Sequence, residues 1–390
     1  MPVGRVPALD ETDEQTMIRE VVRRVAASYG HGYFVKCARE GRSADELWTE
    51  LASAGMLGVS IPEAYGGGGQ GMSELAIVCE ELAAEGCPLL LLAVSPGIAG
   101  TVIAAHGSEE QRQRWLPGLA SGELKIAFAL TEPDAGSNSH NLATLARKDG
   151  DGYRITGKKY YISGADEADY IVLVTRTGTD ERSGRGQLSL FVIDGDTPGM
   201  EKVQIPVEVI APERQYTLFF DDVLIEADRL IGNEGDGLRQ GFTGLNPERI
   251  TVAAMSCGLG RYALEKAADY AAHRQVWDVP IGAHQGIAHP LAEAWIQVEL
   301  ARQMTRTAAV LYDRGLDAGG ASNVAKLAAA DASLAAIDQA IQTHGGNGMA
   351  SEYELADLWG LARLFRIVPV SREMILNHVA QHELGLPRSY

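Results

Sequence analysis

Gly258-Leu-Gly-Arg-Tyr-Ala has the G-x-G-x-x-A spacing with which backbone N–H groups meet a pyrophosphate, chemistry that needs a strand before the glycines and a helix opening at them. Asn246-Pro247-Glu248 upstream reads instead as a helix start, with Asn as N-cap and Pro in the first turn, so the glycines fall inside a helix and serve close packing. Gly66-Gly-Gly-Gly69 lacks the Lys-Ser/Thr pair that binds phosphate and metal in a P-loop, and reads as a turn. His378 and His382 have the i, i+4 spacing of a zinc helix, but Val379 stands where the general-base Glu belongs and no third ligand is evident, so no metal site is expected. A G-x-S-x-G word is absent, which removes the usual starting point for a serine hydrolase.

Two other stretches say more. Phe128-Ala-Leu-Thr-Glu-Pro-Asp-Ala-Gly-Ser137 places small and hydroxyl residues in a loop, as a backbone-lined ligand crevice requires. Gln342-Thr-His-Gly-Gly-Asn-Gly348 interrupts a helical run with three glycines; taken alone it is a helix end followed by a turn.

The elements that must position these stretches have three textures. From Asp10 to about Gly122, apolar helical periods such as Glu20 to Ser28, Ala44 to Ala54, Ser73 to Glu85 and Glu109 to Leu119 alternate with Gly/Pro breaks. From about Glu123 to Asp236, β-rich runs stand between Gly/Asp/Pro turns: Tyr153-Arg-Ile, Lys159-Tyr-Tyr-Ile-Ser, Tyr170 to Thr175, Gln187 to Ile193 and Tyr216 to Phe220. Such spacing suggests a small barrel or sandwich. From Leu238 long Ala/Leu/Glu/Arg-rich periods return in Glu248 to Ala272, Pro290 to Arg314 and Ala321 to Thr343, the pattern of a bundle. A multidomain α and β chain is expected, divided into an N-terminal α-helical unit (1–122), a middle β-barrel or sandwich unit (123–236) and a C-terminal helical bundle (237–390).

Composition sets the limits. With 46% apolar and 22% charged residues the chain can bury enough surface to be globular. A net charge of -18 without a Lys/Arg-rich run repels a phosphate backbone, so nucleic acid is not an expected partner. No apolar run approaches the roughly 20 residues of a membrane span. The opening Met1-Pro-Val-Gly-Arg-Val-Pro has no apolar h-region and is followed by acidic residues, so a cytoplasmic enzyme is expected. Cys37, Cys79, Cys87 and Cys257 form no C-x-x-C pair and read as buried thiols.

Leu57-Gly-Val-Ser-Ile-Pro-Glu-Ala-Tyr-Gly-Gly, Leu130-Thr-Glu-Pro-Asp-Ala-Gly-Ser, Gly157-Lys-Lys-Tyr-Tyr-Ile-Ser, Phe220-Asp-Asp-Val-Leu-Ile and His344-Gly-Gly-Asn-Gly follow one another in the order and spacing of the acyl-CoA dehydrogenase family, which the chain resembles over nearly its whole length. The resemblance implies a helical domain, a β domain and a C-terminal four-helix domain, with FAD between the last two. It implies that Phe128, Leu130, Thr131, Gly136 and Ser137 line the flavin, that Tyr161 and Ser163 approach its ring where the family more often has Trp and Thr, and that Ser371 also touches the cofactor. Arg274, Trp277 and Gln285 match residues that reach a neighbouring subunit's FAD, and Gln342, Gly345 and Gly346 match its adenine side, which implies a homotetramer built as a dimer of dimers. The reaction implied is desaturation of an acyl-CoA between its α and β carbons, with electrons passed to an electron-transferring flavoprotein.

The pattern departs at one point. Where most members carry the base as the Glu of Tyr-Glu-Gly-Thr, this chain has Val368-Pro369-Val370-Ser371, and proline offers neither a carboxylate nor a backbone N–H. Members such as isovaleryl-CoA and long-chain acyl-CoA dehydrogenases carry the base on the helix after the β domain, before an Arg; the matching residues are Glu248 as base and Arg249 at the substrate end, with Ser137 also on the substrate side. In a first helical turn the dipole would lower the Glu248 pKa, and a bound acyl chain would raise it again. The Val370 N–H is a candidate to polarise the thioester carbonyl. Gly360-Leu361 also replaces the Arg-Asp of many members. Alternatives on the same scaffold are a flavin monooxygenase or oxidase, and a non-catalytic flavin-bearing protein that associates with DNA, against which the -18 charge speaks.

Overall fold

The computed structural model describes residues 11–180 and 184–388. The reading of the opening segment over residues 1–10 lies outside them. The chain starts with helices α1 (Asp13–Ala27), α2 (Gly30–Glu40), α3 (Asp45–Ser53) and α4 (Met72–Ala84). A capping box opens α1: Thr12 Oγ1 accepts the Gln15 N–H at 3.1 Å while the Thr12 N–H donates to Gln15 Oε1 at 3.3 Å. Next comes a rod made of α5 (Leu90–Leu92), a π-helical stretch (Ala93–Gly100) and α6 (Thr101–His106). Pro96, which has no N–H to donate, lies within its wide turn. Helix α7 (Glu109–Ser121) ends at Gly122, whose φ of 76° is the left-handed closure glycine permits.

The middle of the chain forms β1 (Ile126–Ala129), β2 (Leu145–Asp149), β3 (Gly152–Ser163), β4 (Tyr170–Thr179), β5 (Gly186–Asp194), β6 (Met200–Ile205), β7 (Gln215–Glu226) and β8 (Leu230–Ile231). They make one eight-stranded sheet in the order β6-β7-β3-β2-β4-β5-β8, with β1 added in parallel to β4. Of the two forms expected, barrel or sandwich, this is the curled single sheet. Tyr153 on β3 meets Phe191 on β5 with ring centroids 4.9 Å apart, although two strands separate them in the sheet, and Ile155, Leu173 and Leu218 join the same inner core. The outer face of β4 and β5, through Val172, Val174, Leu190 and Val192, packs on Val102, Ile103, Trp115 and Leu116 of α6 and α7. Burial on both faces explains why these strands read as continuous apolar runs.

The C-terminal part is α8 (Gly237–His273), a hairpin of β9 (Gln275–Val276) and β10 (Val279–Pro280), then α9 (Gln285–Asp313), α10 (Gly319–His344), α11 (Ala356–Phe365) and α12 (Arg372–His378). Asn246 and Pro247 do not open a helix: α8 starts at Gly237 and runs through both. The break expected at Pro247 is absorbed because the Thr243 carbonyl, which loses its N–H partner, accepts the Tyr312 hydroxyl at 3.4 Å. Glu248 therefore lies well inside a helix, beyond the first turn where the dipole acts.

The glycines of the dinucleotide-like word are packing residues. A Cβ at Gly258 would stand 2.2 Å from the Glu80 carbonyl oxygen on α4, and one at Gly260 would stand 2.8 Å from Val298 Cγ2 on α9. Gly258→Ala should lower unfolding free energy by about 1–3 kcal/mol in urea titrations, because backbone cannot yield as a side chain can. The same interface holds a buried ion network, with Arg19 Nη1 on Glu81 Oε1 at 2.6 Å and Arg261 Nη1 on Glu80 Oε1 at 2.6 Å. The four cysteines are free and buried. Among the described residues no helix is long and apolar enough to cross a membrane, and no group of His, Cys, Asp and Glu could hold a metal ion.

Candidate active site

The loop leaving β1 is held by a buried ion pair. Lys159, whose side chain is fully covered, donates through Nζ to Glu132 Oε1 at 2.7 Å and to the Leu130 carbonyl at 3.0 Å. The Glu132 carboxylate also accepts the N–H groups of Ala143 at 2.7 Å and Thr144 at 3.0 Å. Burial opposes its charge, but the Lys159 ammonium and these hydrogen bonds outweigh it and hold Glu132 below the ordinary carboxylate range. Between Lys159 and Ile162 the register of β3 against β7 shifts, and in that bulge the Tyr160 N–H donates to the Thr131 carbonyl at 2.8 Å. Tyr161 takes φ 58° there and stays half exposed, its ring 4.3 Å from that of Tyr160.

This arrangement leaves a row of free donors. The N–H groups of Thr131, Gly136 and Ser137 and the hydroxyls of Thr131 and Ser137 have no partner among the described residues, and a Cβ at Gly136 would meet open space. Phe128 and Leu130 are partly open beside them. A flavin nucleotide fits this surface: donors for its polar edge, apolar and aromatic groups for its ring. Ser163 already shares hydrogen bonds with Gln215.

Glu248 shares a face of α8 with Gly244 and Thr251, by the i+4 and i+3 rule. That face lies against the π-helical rod: a Cβ at Gly244 would touch Ile98, and Gly97 sits beside Thr251. The rod in turn anchors the start of β1, through Ser95 Oγ accepting the Ile126 N–H at 2.9 Å. The Glu248 carboxylate accepts no hydrogen bond from any described residue. Burial pushes it up to about 7, while the Arg249 and Lys326 cations pull the other way. Arg249 donates through Nη1 to Asn246 Oδ1 at 2.7 Å, and its buried Nε has no partner among the described residues.

Pro369 lies in the turn between α11 and α12. Lys326 Nζ donates to the Val370 carbonyl at 2.6 Å, and the N–H groups of Val370 and Ser371 have no partner among the described residues. The Ser371 hydroxyl caps α12 by accepting the Met374 N–H at 3.3 Å.

A second group collects at the far end of α8. With a rise of 1.5 Å per residue, Arg274 stands roughly 39 Å from Glu248. Trp277 is 85% exposed at the tip of the β9–β10 hairpin, where it and Asp278 both take positive φ (57° and 66°). Gln342, Gly345 and Gly346 lie at the same end, where the His344 ring stacks 4.2 Å from Tyr270 and Asn347 donates to the Tyr270 hydroxyl at 3.0 Å. A Cβ at Gly345 or Gly346 would meet open space, and Gln285 at the start of α9 is exposed. Within one chain these residues and Glu248 do not form a single site.

Sequence reasoning missed the Glu132–Lys159 pair and Lys326. For Lys326 a signal existed: it is the lone cation in Ser322-Asn-Val-Ala-Lys-Leu-Ala-Ala-Ala, a small-residue stretch that only a buried helix face explains. The Glu–Lys pair gave none, because its partners meet only through the loop's path.

The family descriptions "Acyl-CoA dehydrogenase, N-terminal domain", "middle domain" and "C-terminal domain" match residues 12–123, 127–223 and 235–384. The chain is 52% identical over 382 residues to the acyl-CoA dehydrogenase FadE12 of Mycobacterium tuberculosis, covering 97% of this chain and 98% of that one. Butyryl-CoA dehydrogenase of Megasphaera elsdenii superposes with a TM-score of 0.90 at 27% identity, over 97% of this chain and all of that one (100%). An FAD complex of PigA superposes with a TM-score of 0.90 at 26% identity, over 97% and 100% of the two chains. Three matched domains, a relative of equal length and a site that fits a flavin lead to one conclusion: the chain belongs to the FAD-dependent acyl-CoA dehydrogenase family.

Proposed function

We propose that Glu248 removes the α proton of an acyl-CoA thioester while the β hydrogen leaves as hydride, forming the trans-2-enoyl-CoA. The observation that carries this reading is a carboxylate without a hydrogen-bond partner among the described residues, poised near neutrality inside α8, in a chain that has Pro369 at the usual base position. A base with a pKa near working pH combines a large ionised fraction with a strong drive to take the proton. The free Val370 N–H is the donor we assign to the thioester carbonyl, where it would stabilise the charge that develops as the α proton leaves. Arg249 borders the substrate end, and Ser137 serves both substrate and cofactor.

FAD, when bound, supplies the two-electron acceptor for the β hydrogen. Phe128, Leu130, Thr131, Gly136, Ser137, Tyr161, Ser163 and Ser371 would hold it where units 123–236 and 237–390 meet. Arg274, Trp277, Gln285, Gln342, Gly345 and Gly346 would reach the cofactor of a neighbouring subunit in a dimer of dimers. The exposure and positive φ of Trp277 support that role, since a bulky residue so placed pays strain that a contact can offset. An electron-transferring flavoprotein would reoxidise the enzyme.

Anaerobic titration of the FAD-loaded protein with a panel of saturated acyl-CoAs tests the reading. Bleaching of the visible flavin absorbance by one acyl class supports it and names the substrate class. No bleaching by any thioester, with rapid oxygen uptake by dithionite-reduced protein, would replace it with the monooxygenase or oxidase reading. The bleaching rate should also depend on pH. Glu248 acts only when ionised and burial holds it at about 7, so the rate should fall as pH drops through that value. Half-maximal rate near pH 4.5 in stopped-flow traces would contradict a buried base.

A further inference from the structure

Helix α10 grips the turn between α11 and α12 from two points. Asp331 pairs with Arg366 Nε at 2.7 Å and Arg372 Nε at 3.1 Å, the two residues whose backbones close the turn through the Arg372 N–H and the Arg366 carbonyl at 3.2 Å. Lys326 reaches the middle, its Nζ on the Val370 carbonyl at 2.6 Å. This lysine is 1% exposed, and a buried ammonium needs opposite charge as well as a hydrogen bond. The charged groups around it are Asp331 on its own helix, Glu248 and Arg249 on α8 and Glu373 on α12. Asp331, shared with two arginines, is the strongest opposite charge on Lys326, Glu373 is exposed, and the half-buried Glu248 is the next carboxylate to act on it.

We infer that Lys326 is a positioning residue for the dehydrogenation, aligning the turn that carries the free Val370 and Ser371 N–H groups and placing its cation within electrostatic reach of the base. The inference rests on Glu248 being that base. The peptide plane supplies the first half of the role. With the Val370 carbonyl drawn to Lys326, the N–H of the same trans peptide, that of Ser371, points the opposite way, and the adjoining Val370 N–H loses freedom to rotate. The second half is electrostatic: the Arg249 cation on the same helix and the Lys326 cation on α10 both favour the ionised form of Glu248. Burial meanwhile brings the Lys326 ammonium down to about 8, still charged at neutral pH.

The test compares FAD-loaded wild type with Lys326→Gln, Lys326→Met, Lys326→Arg and Glu248→Gln. The readouts are exchange of the substrate α hydrogen with D2O across pH, and KM separated from kcat. Lys326→Gln keeps a donor for the Val370 carbonyl but loses the charge; its acid limb should move up by about one pH unit, making it about fivefold slower at pH 7 and near wild type at pH 9. Lys326→Met should show the same shift and a raised KM, and Lys326→Arg should keep the wild-type limb. Wild-type limbs and KM in both uncharged variants, with Glu248→Gln inactive, would overturn the role of Lys326 and leave the base in place. Wild-type exchange in Glu248→Gln would overturn the base assignment, and the inference with it.

Discussion

Glu248→Gln should bind acyl-CoA and FAD as wild type does and fail to bleach the flavin, with the reductive rate lower by about 10²- to 10⁴-fold, the usual contribution of a positioned base. The change conserves shape and removes only the ability to accept a proton. It should not destabilise the protein. Because burial raises the folded-state pKa of Glu248 to about 7, above the ordinary value of 4.5, ionisation favours the unfolded chain. The resulting loss of stability grows as pH rises from 4.5 to about 7 and stays constant beyond. At pH 8 the Gln variant should therefore melt no lower than wild type. A large fall in Tm alongside the lost bleaching would mean that the carboxylate is structural.

The second large effect is expected at the Glu132–Lys159 pair. Glu132→Ala leaves the fully covered Lys159 ammonium without its counter-ion, and breaking one side of a buried pair costs roughly 3–5 kcal/mol. It also releases the Ala143 and Thr144 N–H groups and frees the loop from Leu130 to Ser137, so flavin should be lost on gel filtration. Adding Lys159→Met should restore much of the stability, since no charge is then stranded, but not the flavin, since the Leu130 carbonyl then loses its donor as well. Retention of FAD in Glu132→Ala would show that the loop is held by other means.

Most of the architecture was legible because it is written in local periodicity. The 3.6-residue periods ending at Gly122 and resuming after Asp236 bracket strands rich in β-branched and aromatic residues, and the helices lie where those periods run. The start of α8 was not legible. Asn246-Pro247-Glu248 carries every local sign of an N-terminus, yet the hydroxyl of Tyr312, far along the chain, satisfies the carbonyl that Pro247 abandons, and the helix continues. The argument from the dipole for Glu248 failed with it. What replaced it is burial, a tertiary quantity.

The candidate site divides in the same way. Word order along the chain identified the family, and it put forward the flavin loop, the base position occupied by Pro369 and Glu248 as the candidate base, because each of these is a matter of residue type at a spacing. The fold alone decided that the Glu248 carboxylate lacks hydrogen-bond partners among the described residues and is pushed toward neutrality, that Lys326 pins the Val370 carbonyl, and that Arg274 and Trp277 stand at the far end of α8. The physical reason is common to all three. Desolvation and charge pairing depend on which segments pack together, and residues 248, 326 and 370 belong to three different helices and turns whose meeting no local pattern encodes.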